Sequence, residues 1–205
     1  LEGNMFFKQN FIKVSLLSIY FFSLSISFAY SKDYYYKFNN KESKINFELS
    51  TNVHPVKADV EKFKGSITIK SSDDKNITSV NGILEIDTTS INTNIALCDV
   101  RIQKETLSTS KYPKITFKVS DTEVISNKIT IDNTIDLKLL GTLTIRDISK
   151  KVEIPVKATV SGDRKSAIVE GKYKINFNDY NVPDPSVLIA KVNPIVELSF
   201  KLRVR

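Results

Sequence analysis

Hydrophobic and polar residues alternate along most of the chain from Ile45 onward. Alternation with a period of two is typical of strands that have one buried and one solvated face. In the clearest example, residues 151–160, the apolar side chains of Val152, Ile154 and Val156 alternate with lysine, glutamate and other residues of the opposite parity. The pattern predicts about eight to ten strands and no long helix.

One stretch interrupts this alternation between two strands, at residues 83–119. In the first strand Leu84 and Ile86 share a face, and a polar turn follows it, leading into a segment that can form one short helix. A turn containing Tyr112 and Pro113 then begins a second alternating strand. The stretch therefore predicts a short helical crossover between two strands of an all-β protein.

A long antiparallel sheet with one apolar face must bury that face. Two sheets can pack as a sandwich, or one sheet can close into a barrel and so remove its exposed edges. The interior of a barrel of about eight strands either packs solid or leaves room for one ligand. Periodicity leaves both alternatives open, and the absence of a linker or repeat predicts a single domain over residues 30–205.

Residues 1–29 have the pattern of a cleavable export signal preceded by a few upstream residues. Lys8 and Lys13 precede an apolar run, and small residues stand before a cleavage site near Ala29. The run of about fifteen apolar residues is shorter than the ~20 that a membrane anchor needs. We therefore expect a periplasmic or secreted protein.

Composition and charge exclude some functions. The chain has 30 Lys and Arg against 23 Asp and Glu, a net charge of +7. Such a charge can favour anionic surfaces, including membranes and nucleic acids. Because the lysines are scattered and no basic, aromatic-rich run occurs, we expect a solvated lysine-rich surface and no nucleic-acid binding.

The residues that could support catalysis are few. His54 is the only histidine and Cys98 the only cysteine, and neither has a flanking catalytic motif. A base needs a nucleophile within hydrogen-bond reach, and zinc sites usually need several nitrogen or sulfur ligands. We therefore predict no catalytic residues, no metal site and no enzyme activity, with Cys98 as a small buried thiol.

Four motifs occur in an order that is typical of one protein family. They are residues 60–65 (VEKFKG), 86–94 (IDTTSINTN), 111–117 (KYPKITF) and 141–152 (GTLTIRDISKKV). With them the chain resembles the YceI-like domain proteins, a family of exported polyisoprenoid-binding barrels of lipocalin-like shape. The resemblance covers the chain from about Tyr34 to its end.

The resemblance implies an antiparallel, lipocalin-like β-barrel of about eight strands that holds a long isoprenoid tail. The strand residues that would line the tail site are Phe47, Leu84, Ile86, Phe117, Leu137, Leu143, Ile154, Phe177 and Phe200. The polar residues that would stand at the mouth are Asp99, Arg101, Tyr112 and Tyr180. No cofactor is expected apart from a bound polyisoprenoid or isoprenoid quinone.

The chain departs from the family pattern at Cys98, where the family typically has an arginine before Asp99. The missing guanidinium removes a bidentate cation, and Arg101 is the candidate to replace part of its role. The stretch at residues 179–186 is also richer in proline than is usual, which predicts a different mouth.

Three functions follow as alternatives. The first is a lipid carrier with an apolar internal tunnel, and the second is an interaction protein with a solid core and an exposed apolar patch. The third is an enzyme that uses His54 or Cys98. The carrier is the expected function, and its expected partners are an isoprenoid lipid, a membrane surface contacted transiently and a second copy of the chain in a homodimer.

Overall fold

The computed structural model describes residues 32–71, 77–124, 134–163 and 165–205. The predicted export signal at residues 1–29 lies outside the described residues. The boundaries of the domain expected over residues 30–205 stay a prediction.

The described residues form 11 strands in one antiparallel sheet. The strands are β1 (Lys32–Lys37), β2 (Lys44–Thr51), β3 (Val56–Val60), β4 (Phe63–Ser71), β5 (Ile77–Asp87), β6 (Ile91–Asn92), β7 (Lys114–Val124), β8 (Thr134–Ile145), β9 (Ile148–Val160), β10 (Ala167–Asn176) and β11 (Val192–Val204). Their order in the sheet is β1-β4-β5-β7-β8-β9-β10-β11-β2-β3-β6.

The helical segments are short and lie between strands. One α-helix, α1 (Ala96–Arg101), continues into a π-helical turn at Ile102–Thr106, and together they form the predicted crossover between β6 and β7. Single 3₁₀ turns occur at Asn40–Glu42, Thr88–Ser90 and Phe177–Tyr180. Within the described ranges, no helix has the length and apolar character needed to cross a bilayer.

The sheet curls into a half-barrel, so the prediction of an antiparallel lipocalin-like fold is confirmed. The predicted number of about eight strands is too low, because three short strands carry little alternation. The tyrosine-rich β1 and the five-residue β3 are short strands, and β6 has only two residues, separated from β5 by the 3₁₀ turn Thr88–Ser90.

Two short contacts hold the two edges of the sheet, and the first of them joins strands that are not neighbours in the strand order. A backbone bridge pairs Phe38, just after β1, with Val204 of β11. At the other edge, Val60 of β3 pairs with Ile91 of β6. Because β6 follows β5 in the chain, these contacts hold the curled sheet around one interior.

Alternation assigns the two faces of the sheet as the sequence predicts. In β9, Val152, Ile154, Val156 and Ala158 are buried, and the residues between them are exposed. Charged residues on the outer face form cross-strand ion pairs, which contribute at most about 1 kcal/mol each when exposed. These pairs include Lys64–Glu85, Lys138–Glu123, Lys174–Glu197 and Lys201–Glu170.

One end of the half-barrel is packed solid with side chains from adjacent strands. These buried residues are Ile135, Leu137, Val156, Ala158, Ala167 and Val204. The pairings Ile135–Ala158, Leu137–Val156 and Ala167–Val204 bring them together. This closed end lies opposite the hairpin between β8 and β9.

Gly65 fits β4 against β5 where no side chain can be accommodated. Its φ of 154° is unfavourable for other residues, and an added Cβ would overlap the carbonyl oxygen of Ile83. We predict that Gly65→Ala lowers the free energy of unfolding by about 1–3 kcal/mol, measured by urea denaturation.

Gly162→Ala is the matched control, because a Cβ at Gly162 would meet no atom within 4 Å. We expect this control to change the free energy of unfolding by no more than about 0.5 kcal/mol. Equal effects of the two substitutions would contradict the steric explanation.

Candidate ligand-binding cavity

An apolar cavity of about 490 Å³ occupies the interior of the half-barrel above the packed end. Several large apolar side chains point into it and are only half-buried. These are Phe47, Leu49, Leu84, Ile86, Ile115, Phe117, Ile175, Val196, Leu198 and Phe200. Packed interiors leave few voids larger than a water molecule, so a space of this size with apolar walls is a candidate binding site.

Two glycines help to keep this space open by letting phenylalanine rings lie against the sheet. An added Cβ at Gly171 of β10 would lie 2.5 Å from Cζ of Phe200, its partner on β11. An added Cβ at Gly141 of β8 would lie 2.7 Å from Cε2 of Phe117 on β7. Each ring therefore occupies room that a side chain at the glycine would take.

Polar groups are confined to one end of the cavity. Among the described residues that line it, the polar side chains are Thr51, His54, Cys98, Arg101 and Thr106. They come from the end of β2, the β2–β3 loop and the helical crossover. Residues of the loop before β11 also line this end, among them the exposed Ile189. We call it the mouth of the cavity.

Arg101 fastens the crossover to the loop at the mouth. Its Nε donates a hydrogen bond to Oε2 of Glu105 at 3.1 Å, and its Nη2 donates to the carbonyl oxygen of Pro185 at 3.4 Å. The guanidinium is half-buried and borders the cavity. It therefore supplies a cation at the mouth, close to one helical turn after Cys98.

The cavity lining includes eight of the nine residues that the resemblance placed in the tail site. They are Phe47, Leu84, Ile86, Phe117, Leu143, Ile154, Phe177 and Phe200. Leu137 does not line the cavity; it is buried in the packed end, where it pairs with Val156. Contact of the eight with a ligand stays a prediction.

Of the four residues expected at the mouth, only Arg101 borders the cavity. Asp99 is engaged locally: its Oδ1 accepts hydrogen bonds from the amide and the hydroxyl of Thr93, at 2.8 and 2.7 Å. Its carboxylate thus holds the turn before α1. The structure gives Asp99 a role in fixing the crossover.

Tyr112 joins the crossover to the β8–β9 hairpin. Its hydroxyl donates to Oδ2 of Asp147 at 3.0 Å, and its ring lies 4.9 Å from Nζ of Lys111 and 5.2 Å from Cζ of Arg146. Arg146 in turn donates to the carbonyl oxygen of Asn181 at 2.8 Å. This cluster braces the loops around the mouth from outside the cavity.

Tyr180 is buried beside the last 3₁₀ turn and is also outside the cavity lining. Burial raises the pKa of its hydroxyl to about 12, with smaller contributions from Tyr173 and Asp179. A phenol in this setting stays neutral at physiological pH. Its position is that of a core residue that anchors the chain between β10 and β11.

His54 and Cys98 both line the cavity, although His54 is exposed and Cys98 is half-buried. The expectation of a small buried thiol is therefore wrong, because Cys98 is only half-buried. Nδ1 of His54 lies 3.2 Å from the carbonyl oxygen of Pro55. Among the described residues, no group of three or more His, Cys, Asp or Glu side chains could hold a metal ion.

The loop between residues 181 and 191 borders the mouth. Sequence reasoning placed its proline-rich first part, up to residue 186, at the mouth but missed residues 187–190. Val182, Pro185, Val187, Ile189 and Ala190 of this loop line the cavity. A signal was present, because the apolar run VLIA at residues 187–190 lies outside any alternating strand. A cluster of apolar residues in a loop needs a partner or a function.

The hydrogen bond from Tyr112 is the largest of the interactions that hold the pKa of Asp147 below its usual range. The bond stabilises the ionised carboxylate. We predict that Tyr112→Phe raises the pKa of Asp147 toward its ordinary value, measured by NMR titration of the carboxyl carbon.

Asp184 is the internal control, because contacts with Ser186 hold its pKa down. We expect the pKa of Asp184 to stay the same in the Tyr112→Phe variant. An unchanged pKa at Asp147 would contradict the bracing contact, and equal shifts at both sites would indicate a general disturbance.

Comparisons with solved structures agree on the fold. BcnA from Burkholderia cenocepacia is 20% identical, with a TM-score of 0.65 over 81% of this chain and 98% of that chain. A polyisoprenoid binding domain from Saccharophagus degradans, implicated in plant cell wall breakdown, is 16% identical, with a TM-score of 0.65 over 83% and 97%. The YCEI protein of Campylobacter jejuni is 22% identical, with a TM-score of 0.54 over 72% and 83%.

A search of curated proteins found no match to this chain. At such low identities the structural likenesses establish the fold alone. The model of the YceI-like domain family, in contrast, matches residues 36–204, which span the described strands from β1 to β11. The chain therefore belongs to the YceI-like domain family.

Proposed function

We propose that this protein binds a lipid with a long isoprenoid or similar apolar chain, which lies in the cavity with its polar end at the mouth. The observation that carries the proposal is the polarity of the cavity. Its walls are apolar, and the polar side chains among its described lining residues all lie at the mouth. An amphiphile with one polar end fits such a gradient.

The size of the cavity and the state of its walls support the same ligand class. Ligand cavities typically measure about 300–1,000 Å³, and this one measures about 490 Å³. Each Å² of its half-buried apolar wall that a ligand removes from water contributes about 25 cal/mol to the free energy of binding. This gain needs no polar contact, so we expect weak selectivity for the head group.

One of the similar structures supports the isoprenoid part of the proposal. The Saccharophagus degradans domain is described as polyisoprenoid-binding, and this chain shares its fold. The export pattern at residues 1–29 supports action in the periplasm or outside the cell, where such a carrier would meet lipids of the envelope.

The alternative functions fit the cavity less well. An interaction protein with a solid core would fill its interior, whereas ten large apolar side chains here face open space. An enzyme would need a second reactive group beside His54 or Cys98. Both residues lie on the cavity wall, and within the described part of the chain neither side chain forms a hydrogen bond to the side chain of an acid, base or nucleophile.

Filling the cavity from one strand tests the proposal. Leu198 of β11 points into the cavity, and Ser199 points to the outer face. We predict that wild-type protein binds a polyprenyl alcohol with a Kd of about 1 µM or lower, and that Leu198→Trp weakens binding at least about tenfold. The measurement is displacement of cis-parinaric acid, whose fluorescence rises in apolar sites.

Ser199→Trp is the matched control, with the same new side chain one residue away on the opposite face. It should bind as the wild type does. If Leu198→Trp reduces the thermal stability, Val196→Phe fills the same space with a smaller increase in volume. Wild-type protein that binds no polyprenyl alcohol, or a filled cavity that binds normally, would overturn the proposed site.

A further inference from the structure

Large apolar side chains project into solvent around the mouth of the cavity. Leu188 is 99% exposed, Ile189 81%, Leu97 71%, Val53 61% and Val100 46%. These five residues are called the apolar rim. They come from three separate segments: the β2–β3 loop, α1 and the loop before β11. Single exposed apolar residues are common, but a group gathered at one site indicates a binding surface.

Hydrogen bonds join these three segments to each other. The Asn52 side chain donates to the carbonyl oxygen of Ile189 at 3.3 Å and accepts from the amide of Lys191 at 2.7 Å. Arg101 of α1 donates to the carbonyl oxygen of Pro185 at 3.4 Å. The rim is therefore one connected surface, built on segments whose relative positions are held by polar contacts.

Leu188 and Ile189 form the tip of a tight turn. The amide of Val187 donates to the carbonyl oxygen of Ala190 at 2.9 Å, which leaves the two residues between them at the apex. Because this backbone bond is satisfied within the turn, the apex can enter an apolar medium at a smaller polar cost. The side chain of Leu188 contacts almost no protein atoms in this position.

Neighbouring residues in each segment face either the rim or the cavity. In the loop before β11, Val187 lines the cavity and Leu188 belongs to the rim. In α1, Cys98 lines the cavity and Leu97 belongs to the rim. Ile189 belongs to both, as does Val53. A surface that covers the rim therefore also covers the mouth, so a ligand could pass between the two without crossing water.

The charges near the rim favour an anionic surface. Lys104 and Lys191 are exposed beside it, and the whole chain has a net charge of +7. Three acidic residues stand nearby, and each is engaged within the protein: Asp99 accepts from Thr93, Glu105 is paired with Arg101, and Asp184 accepts from the amide of Ser186 and interacts with Lys191. Apolar tips flanked by lysines are typical of proteins that bind at the interface of anionic bilayers.

We propose that the apolar rim docks the mouth of the cavity on an anionic lipid bilayer. Leu188 and Ile189 enter the interface between head groups and acyl chains, and Lys104 and Lys191 lie at the level of the head groups. This inference rests on the proposed function, because docking of the mouth serves the transfer of a ligand only if the cavity binds lipid. It adds the surface from which the ligand is taken or to which it is delivered.

The chain contains no tryptophan, so Leu188→Trp introduces a single local reporter. The full chain carrying this substitution is mixed with vesicles of phosphatidylglycerol and phosphatidylcholine. We expect the indole emission to shift to shorter wavelength and to be quenched by lipids brominated on their acyl chains. Ser199→Trp, whose indole lies on the outer face of β11, is the matched control and should show neither change.

A second pair of measurements separates docking from ligand binding. The double variant Leu97→Ser/Leu188→Ser should bind soluble cis-parinaric acid as the wild type does, because both residues are exposed outside the cavity lining and binding of a dissolved probe requires no docking. Its uptake of a polyprenyl alcohol from the same vesicles should slow at least about fivefold. If the wild type fails to bind the soluble probe, the proposed function fails and the docking result stands by itself.

Several outcomes would overturn the docking inference. One is an indole at position 188 that stays in water, with no shift in emission, although the soluble probe binds. Another is an emission shift of equal size on anionic and on purely neutral vesicles. A blue shift that depends on protein concentration without vesicles would identify the rim as a contact between two copies of the chain. Equal quenching in Ser199→Trp would show that the protein meets the bilayer through another surface.

Discussion

The hydrogen-bonded register of one curled sheet is the constraint on which the rest of this structure depends. Neighbouring strands are held about 4.8 Å apart by their backbone bonds, so the wall of the half-barrel cannot contract around its contents. Where the inward side chains are numerous enough they fill the interior, as Ile135, Leu137 and Val156 do at the packed end. Toward the mouth they leave a cavity instead.

Small features of the wall decide how much space remains. Gly141 and Gly171 give room for the rings of Phe117 and Phe200 to lie against the sheet. A wall of this kind removes part of the stabilisation that a hydrophobic core normally gives, because its apolar side chains stay half-buried. A ligand that supplies the missing contacts would add to stability in proportion to its binding.

The loops at the mouth carry polar contacts between segments that the sheet does not join. Asp99 fixes the start of the crossover, Tyr112 and Asp147 link the crossover to a hairpin, and Arg101 links it to the loop before β11. Arg101 borders the cavity, about one helical turn after Cys98. These polar contacts hold the loops in place, so exposed apolar residues such as Leu188 project into solvent without packing against a hydrophobic core.

The sequence could predict which way strand residues face, because the parity of a strand is a local property. Parity does not give depth along the barrel, so Phe47 and Phe200 line the cavity as expected while Leu137, of the same inward parity, lies in the packed end. Polar residues near the mouth were harder to assign, because Asp99 and Tyr112 contact partners that only the folded chain brings close. The short strands β1, β3 and β6 had too few alternating residues to be counted, and the apolar loop at residues 187–190 had no period to interpret.

The claim that the cavity holds a lipid is tested most directly by mass spectrometry of an organic extract of the protein, purified from cells whose membranes contain isoprenoid lipids. We expect about one polyprenyl lipid or isoprenoid quinone for each protein molecule, because an open apolar cavity of this size should not remain empty in contact with such lipids. An extract that contains no lipid, both from the purified protein and after its incubation with isoprenoids, would contradict a lipid-binding cavity. That result would indicate that the interior closes in solution.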